Sequence, residues 1–279
     1  MTQRYRVLAW TAAVTTYLLI VLGTVVRITG SGLGCGDDWP VCHGRLIPPL
    51  SDPATFIEWN HRLLAAIVSI LVALLAGLTW LERRGAGNLK DIGGEESTPT
   101  RIGYGALGLL VLQVLLGAVT VKLDLPPWTV ILHLGTAMAL LATLLVAARG
   151  RGDTPRSPAA IVAAALGFVT LLFGALTANL GAATACVGFP LCNGQLIPAG
   201  NYLQHIHWTH RLLAYGLFVY LSVWALRTRS RGPWLVLGLA LLQVVVAAVM
   251  VLHGVPGSLQ VVHAAVGTAV WVGLVLAAL

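Results

Sequence analysis

Trp59-Asn60-His61-Arg62-Leu63-Leu64-Ala65 returns 149 residues later as Trp208-Thr209-His210-Arg211-Leu212-Leu213-Ala214, and this recurrence decides how the chain is read. Upstream, His43-Gly44-Arg45-Leu46-Ile47-Pro48 is matched by Asn193-Gly194-Gln195-Leu196-Ile197-Pro198. A cysteine pair comes before each block, Cys35 with Cys42 and Cys186 with Cys192. Downstream, Gln113 stands twenty residues before His133 and Gln243 twenty before His263, and these two pairs share an offset of 130. Four histidines therefore form two equivalent pairs, His61/His133 and His210/His263.

Of the 279 residues, 57% are hydrophobic and 10% charged, with a mean hydropathy of +0.85. A soluble domain carries about 25% charged residues, so the chain belongs in a bilayer. Eight apolar stretches reach the roughly 20 residues that a spanning helix needs: 7–27, 61–81, 102–121, 129–148, 159–179, 207–226, 233–252 and 259–279. The first runs straight into a motif-rich loop without a small-residue cleavage site, and is read as a retained helix rather than a signal peptide.

Twelve Lys and Arg residues fall on one side of this layout and five on the other. By the bias of basic residues toward the cytoplasm, both termini are expected there and the two cysteine loops outside. The net charge of +7 is then topology charge. No basic domain remains to hold nucleic acid. Outside the cytoplasm thiols can oxidise, so two disulfides within the loops are one reading. A metal site, free thiols, or a redox-active Cys35/Cys42 pair are the others.

Four helices per copy is an even number, so both copies enter the membrane in the same sense, as a parallel repeat about the membrane normal. The expected fold is an all-α membrane protein of two pseudo-symmetric four-helix bundles, 1–150 and 151–279. The boundary is the Pro- and Arg-rich link from Arg149 to Pro158, and the polar insert around Gly93-Gly94-Glu95-Glu96 reads as a linker without chemistry. The 31 glycines fit close helix packing in lipid, where small residues let backbones approach.

Within this layout His61 and His210 open the second helix of their copies, while His133 and His263 lie about one turn into the fourth. All four reach a similar depth, and a ligand between helices two and four can be held from both faces. Neutral imidazole is an axial ligand of heme iron, so two matched pairs in an apolar protein point to two hemes. A lone histidine at a helix start is more simply a polar anchor; four paired by a repeat are not. Arg62 and Arg211 follow the histidines directly and have two uses open to them, pairing with a heme carboxylate or reaching the lipid head groups.

The copies differ at one position. Glu58 lies three residues, one turn, before His61, while its counterpart three residues before His210 is His207. A carboxylate beside a buried heme edge can take a proton or stabilise a developing cation; a first-turn Glu also suits the helix dipole. The asymmetry implies that one site does chemistry and the other passes electrons. His43, His205, His207 and His253 read as interfacial polar residues, and Gln113 and Gln243 as amides that pack across helices or bond to a heme.

Val25-Val26-Arg27-Ile28-Thr29-Gly30-Ser31-Gly32-Leu33-Gly34-Cys35, Trp39-Pro40-Val41-Cys42 and Glu58-Trp59-Asn60-His61-Arg62 together resemble the bacterial heme A synthases. The similarity covers essentially the whole chain. It implies stepwise oxidation of the C8 methyl of heme O, through an alcohol and a hydrated aldehyde, to the formyl group of heme A for terminal oxidases. It implies heme b at His210 and His263, with Arg211 beside it, and heme O as substrate at His61 and His133, with Glu58 as the essential carboxylate. It also implies disulfides Cys35–Cys42 and Cys186–Cys192, the first mattering most for activity. Heme O synthase is the implied supplier; the electron donor and the oligomeric state, homo-oligomer included, stay open.

Two histidines on the substrate iron leave oxygen no open position. Either one ligand leaves, or electrons are withdrawn from the methyl and water captures a cation. From other functional classes, a bis-histidine diheme electron carrier and a heme transporter or chaperone compete with the synthase. The carrier has no need of Glu58 in one copy only, while two quasi-equivalent sites near the outer face would also serve a transporter.

Overall fold

The computed structural model describes residues 2–86, 98–150 and 157–279. The polar insert of 87–97 and residues 151–156 of the expected boundary link lie outside them. Among the described residues the chain forms eight long helices: α1 (Gln3–Ile28), α2 (Pro53–Ala86), α3 (Thr98–Lys122), α4 (Pro127–Arg149), α5 (Pro158–Asn179), α6 (Tyr202–Thr228), α7 (Arg231–Leu252) and α8 (Gly257–Ala277). Seven are long and apolar enough to cross a membrane. The other is α6, whose first ten residues include Gln204, His205, His207, His210 and Arg211 and dilute its hydropathy. The chain is an all-α multi-pass membrane protein.

Helix starts follow local chemistry. Prolines 53, 127 and 158 open α2, α4 and α5, where the missing N–H costs nothing. Asn201 caps α6 by accepting from the N–H groups of Leu203 and Gln204. Before α2, the Asp52 carboxylate accepts from the Thr55 N–H at 2.8 Å and the Thr55 hydroxyl at 2.9 Å, which holds it below the ordinary aspartate range. Inside the apolar helices, threonines satisfy themselves on the preceding turn, as Thr16 does on Ala12 O and Thr268 on Ala264 O.

α1 packs on α2, α2 on α3, α3 on α4 and α4 back on α1, closing a ring in which α2 and α4 face each other diagonally. α5 to α8 close a second ring in the same way, with α6 opposite α8. The rings meet through α1 and α4 against α5 and α8. The most buried side chains concentrate there, with Met138, Leu141, Leu144 and Leu145 of α4 beside Leu274 of α8. Trp271 donates its indole N–H to Met138 O at 2.9 Å, and Tyr17 its hydroxyl to Ala265 O at 2.9 Å. The outward faces carry Val14, Ile70, Leu115, Leu235 and Val245, all exposed, as expected of helices whose solvent is lipid.

Both cysteine loops lie at one end of the rings. Leu125, between α3 and α4, packs against Gly32 of the first loop, and Lys122 pairs with Asp37 at 3.5 Å. Each loop is closed by a disulfide, Cys35–Cys42 and Cys186–Cys192. Each then makes a two-residue hairpin, Cys42 bridging to Arg45 and Cys192 to Gln195. The turn residues His43-Gly44 and Asn193-Gly194 all have positive φ, the geometry of a type I′ turn. The repeated second glycine is what that turn requires.

Candidate functional site

His61 and His210 are each the ninth residue of their helices, α2 and α6, and His133 and His263 the seventh of α4 and α8. Counting from the cysteine-loop end, the four imidazoles enter their rings at closely matched depth. Because the helices that carry them are diagonal partners, His61 and His133 come within electrostatic reach of one another. His263 is likewise within reach of His210. Each pair faces inward across its own ring.

Glycines seat three of the rings. A Cβ on Gly23 of α1 would lie 3.2 Å from His61 Cε1, one on Gly117 of α3 3.1 Å from His133 Cε1, and one on Gly174 of α5 2.9 Å from His210 Cε1. Any larger residue would push the imidazole toward the ring centre. His210 is further fixed because its Nδ1 lies 3.0 Å from Thr170 O. A carbonyl only accepts, so Nδ1 carries the proton and Nε2 keeps its lone pair. That is how a metal-binding histidine is commonly oriented.

The glutamines, read from sequence as packing amides or heme partners, sit on histidines. Gln113 Nε2 is 3.0 Å from His133 Nε2, and Gln243 Nε2 is 3.1 Å from Nδ1 and 3.2 Å from Nε2 of His263. The Gln113 amide donates to His133 Nε2, which is therefore unprotonated, whereas the Gln243 amide nitrogen lies between the two ring nitrogens of His263. Five buried side-chain atoms among the described residues lack a partner, and four belong to this constellation: His61 Nδ1, His133 Nδ1, Gln113 Oε1 and Gln243 Oε1. Orphaned polar atoms in an apolar bundle cost about 1–3 kcal/mol each, so their concentration here marks places built for a ligand. No cluster of three or more His, Cys, Asp or Glu side chains suits a bare metal ion among the described residues. Two opposed neutral imidazoles fit an iron whose other ligands come with a porphyrin.

The loops are tied down beside these pairs by a duplicated arginine clamp. Arg62 Nη1 donates to Asp38 O at 2.6 Å and Val41 O at 2.7 Å. Arg211 Nη1 donates to the matching carbonyls, Gly188 O at 2.9 Å and Leu191 O at 2.8 Å. The clamps differ in the other guanidinium nitrogen. Arg211 Nη2 takes Cys186 O at 2.9 Å, whereas Arg62 Nη2 takes Glu58 Oε1. Loop carbonyls as arginine partners were in neither sequence reading of these residues, since any residue can supply one.

Glu58 is 3% exposed and fully engaged. Oε1 also accepts from Arg62 Nε at 3.0 Å, and Oε2 accepts from the backbone N–H of Cys35 at 2.7 Å. It therefore joins helix α2, the arginine clamp and the first disulfide in one network. His207, its counterpart, is also buried, and its Nδ1 donates to Ala182 O at 2.9 Å. The expectation of an interfacial polar residue suits the exposed His205, His43 and His253 and not His207. The glycine seats and the Thr170 carbonyl also escaped the sequence reading. Gly23 and Gly174 carried a signal, since they stand at equivalent places before the two Cys blocks.

The chain matches the model of the cytochrome oxidase assembly protein family COX15-CtaA over residues 6–275. It is similar to the heme A synthase of Shouchella clausii, 32% identical over 229 residues covering 76% of this chain and 72% of that one. It is also similar to the heme A synthase of Symbiobacterium thermophilum, 30% identical over 279 residues covering 91% and 88%.

Proposed function

Because the chain belongs to the cytochrome oxidase assembly protein family COX15-CtaA, we propose that it is a heme A synthase, an enzyme that oxidises the C8 methyl of heme O stepwise to the formyl group of heme A. The observation that carries the proposal, beside the relatives' shared activity, is the asymmetry of two otherwise matched histidine pairs. Only His61/His133 has a carboxylate one turn away. We assign heme O, the substrate, to His61 and His133 in the N-terminal ring. His210 and His263 then hold heme b in the C-terminal ring, near the Arg211 clamp. Heme b there supplies one-electron transfer when bound.

The chain's own residues do the rest. The Thr170 carbonyl fixes the tautomer of His210 and keeps Nε2 free for iron. Gln113 and Gln243 lie against the α4 and α8 histidines. Glu58 is ion-paired with Arg62 and accepts from the Cys35 N–H. When the methyl gives up two electrons to an external oxidant and a proton to solvent, its C–H bond breaks and positive charge develops on its carbon, where one water adds to give the alcohol and a second proton leaves. A fixed carboxylate lowers the cost of that charge in a site shielded from water. The role suits an ion-paired Glu58 better than proton delivery does. The cysteine loops lie on the outer face and both termini in the cytoplasm, and heme O synthase supplies the substrate.

The deciding experiment is the heme inventory of cells that express this chain with a heme O synthase, read by chromatography with mass detection. Heme A or its hydroxylated precursor is expected only when the chain is present. Unchanged heme O from folded, heme-loaded protein supplied with reductant would overturn the proposal in favour of a carrier or transporter.

A further inference from the structure

Arg27, in the last turn of α1, is a half-buried cation that forms no ion pair among the described residues. Its one hydrogen-bond acceptor there is a neutral amide, Gln260 Oε1 of α8, at 2.8 Å. Gln260 is itself anchored, donating from Nε2 to Val255 O at 3.0 Å. The position of Arg27 is specific. It follows by four residues, one helical turn, the glycine that seats His61, so Gly23 and Arg27 share a face of α1. Gln260 precedes His263 by one turn on α8. A guanidinium thus stands at the outer edge of the first histidine pair, held by a residue from the second ring.

A cation at this depth is costly unless an anion meets it. Attraction to the C-terminal end of α1 accounts for a basic residue in the last turn, yet not for one turned toward α8 rather than the exposed loop end. The repeat sharpens the point. Gly174 is the equivalent glycine of α5, and the residue four beyond it is Ala178. The cation belongs to one copy only, the copy that also carries Glu58.

We infer that Arg27 is the carboxylate-recognising residue of the His61/His133 site, meeting a propionate of the heme that enters there and resting on Gln260 until it does. The inference deepens the proposed function and rests on its assignment of a heme to that site. Arg and carboxylate match as a two-pronged, charge-assisted pair. A site that must capture and release its heme gains selectivity from such a pair; the second site, lacking it, retains its heme through its histidines.

The test is a binding titration on the full-length protein carrying its resident heme. Ferric protoheme and its dimethyl ester are added separately, and the bis-histidine absorbance is followed in wild type, Arg27→Gln, Arg27→Lys and His61→Ala. Wild type is expected to bind the diacid roughly 10- to 100-fold more tightly than the ester, the range for a hydrogen bond to a charged group. Arg27→Gln should abolish that preference by weakening the diacid alone, and Arg27→Lys should keep part of it. Equal binding of diacid and ester by wild type, or equal weakening of both by Arg27→Gln, would overturn the inference. Should Arg27→Gln not fold, the wild-type and Arg27→Lys titrations decide. An unchanged titration in His61→Ala would refute the site assignment itself, a result distinct from a lost preference.

Discussion

Glu58 and His207 stand at one position of two equivalent helices and reach the corresponding loops of their own copies by opposite chemistry. Glu58 accepts from the Cys35 N–H; His207 donates to Ala182 O. Only the first brings a negative charge. Glu58→Gln keeps the shape, so both hemes should remain bound while turnover falls by about 100- to 1000-fold, the size of a lost electrostatic stabiliser. Absorbance spectra and product chromatography on the same sample check this. A second test concerns Gly174. Alanine there would place a methyl 2.9 Å from His210 Cε1, so Gly174→Ala should lower the heme-to-protein ratio and spare the first pair. The histidines and Glu58 were legible in the sequence because a repeat makes their matches and mismatches countable. The seat that Gly174 provides was not, since a glycine's neighbours are unknown until helices pack.

At the scale of elements, the cysteine loops owe their form to two unlike devices. A hairpin turn with a repeated glycine and a disulfide shape each loop locally; the sequence shows the repeated glycine and the cysteine pair, and the structure shows what they form. The arginine clamp then fixes the loop to the start of the next helix. Arg211→Met would leave the carbonyls of Cys186, Gly188 and Leu191 without their partner. Each buried orphan costs about 1–3 kcal/mol. Thermal unfolding should therefore begin at markedly lower temperature, with the disulfide intact by mass. The sequence offered Arg211 head groups or heme carboxylates because those anions are the known partners of an interfacial arginine. A loop folding back by twenty or more residues to offer bare carbonyls leaves no trace in residue identity.

At the scale of the protein, two rings share one core. α4 lies at their junction and is its most buried helix, and Trp271 of α8 donates to Met138 O of α4 at 2.9 Å. Trp271→Phe removes this bond and keeps the apolar ring, so it should cost about 1 kcal/mol. The melting temperature should fall by a few degrees with both hemes retained. The eight helices, their even division and the two histidine pairs could be read from the chain. Hydropathy and an internal repeat are properties of residue order alone, and lipid imposes helices on any apolar span of that length. The Thr170 carbonyl that orients His210 and the meeting of Arg27 with Gln260 could not be read this way. Each joins groups far apart in the chain through backbone atoms common to every residue or through the angles at which helices pack. Those relations exist only once the rings have closed.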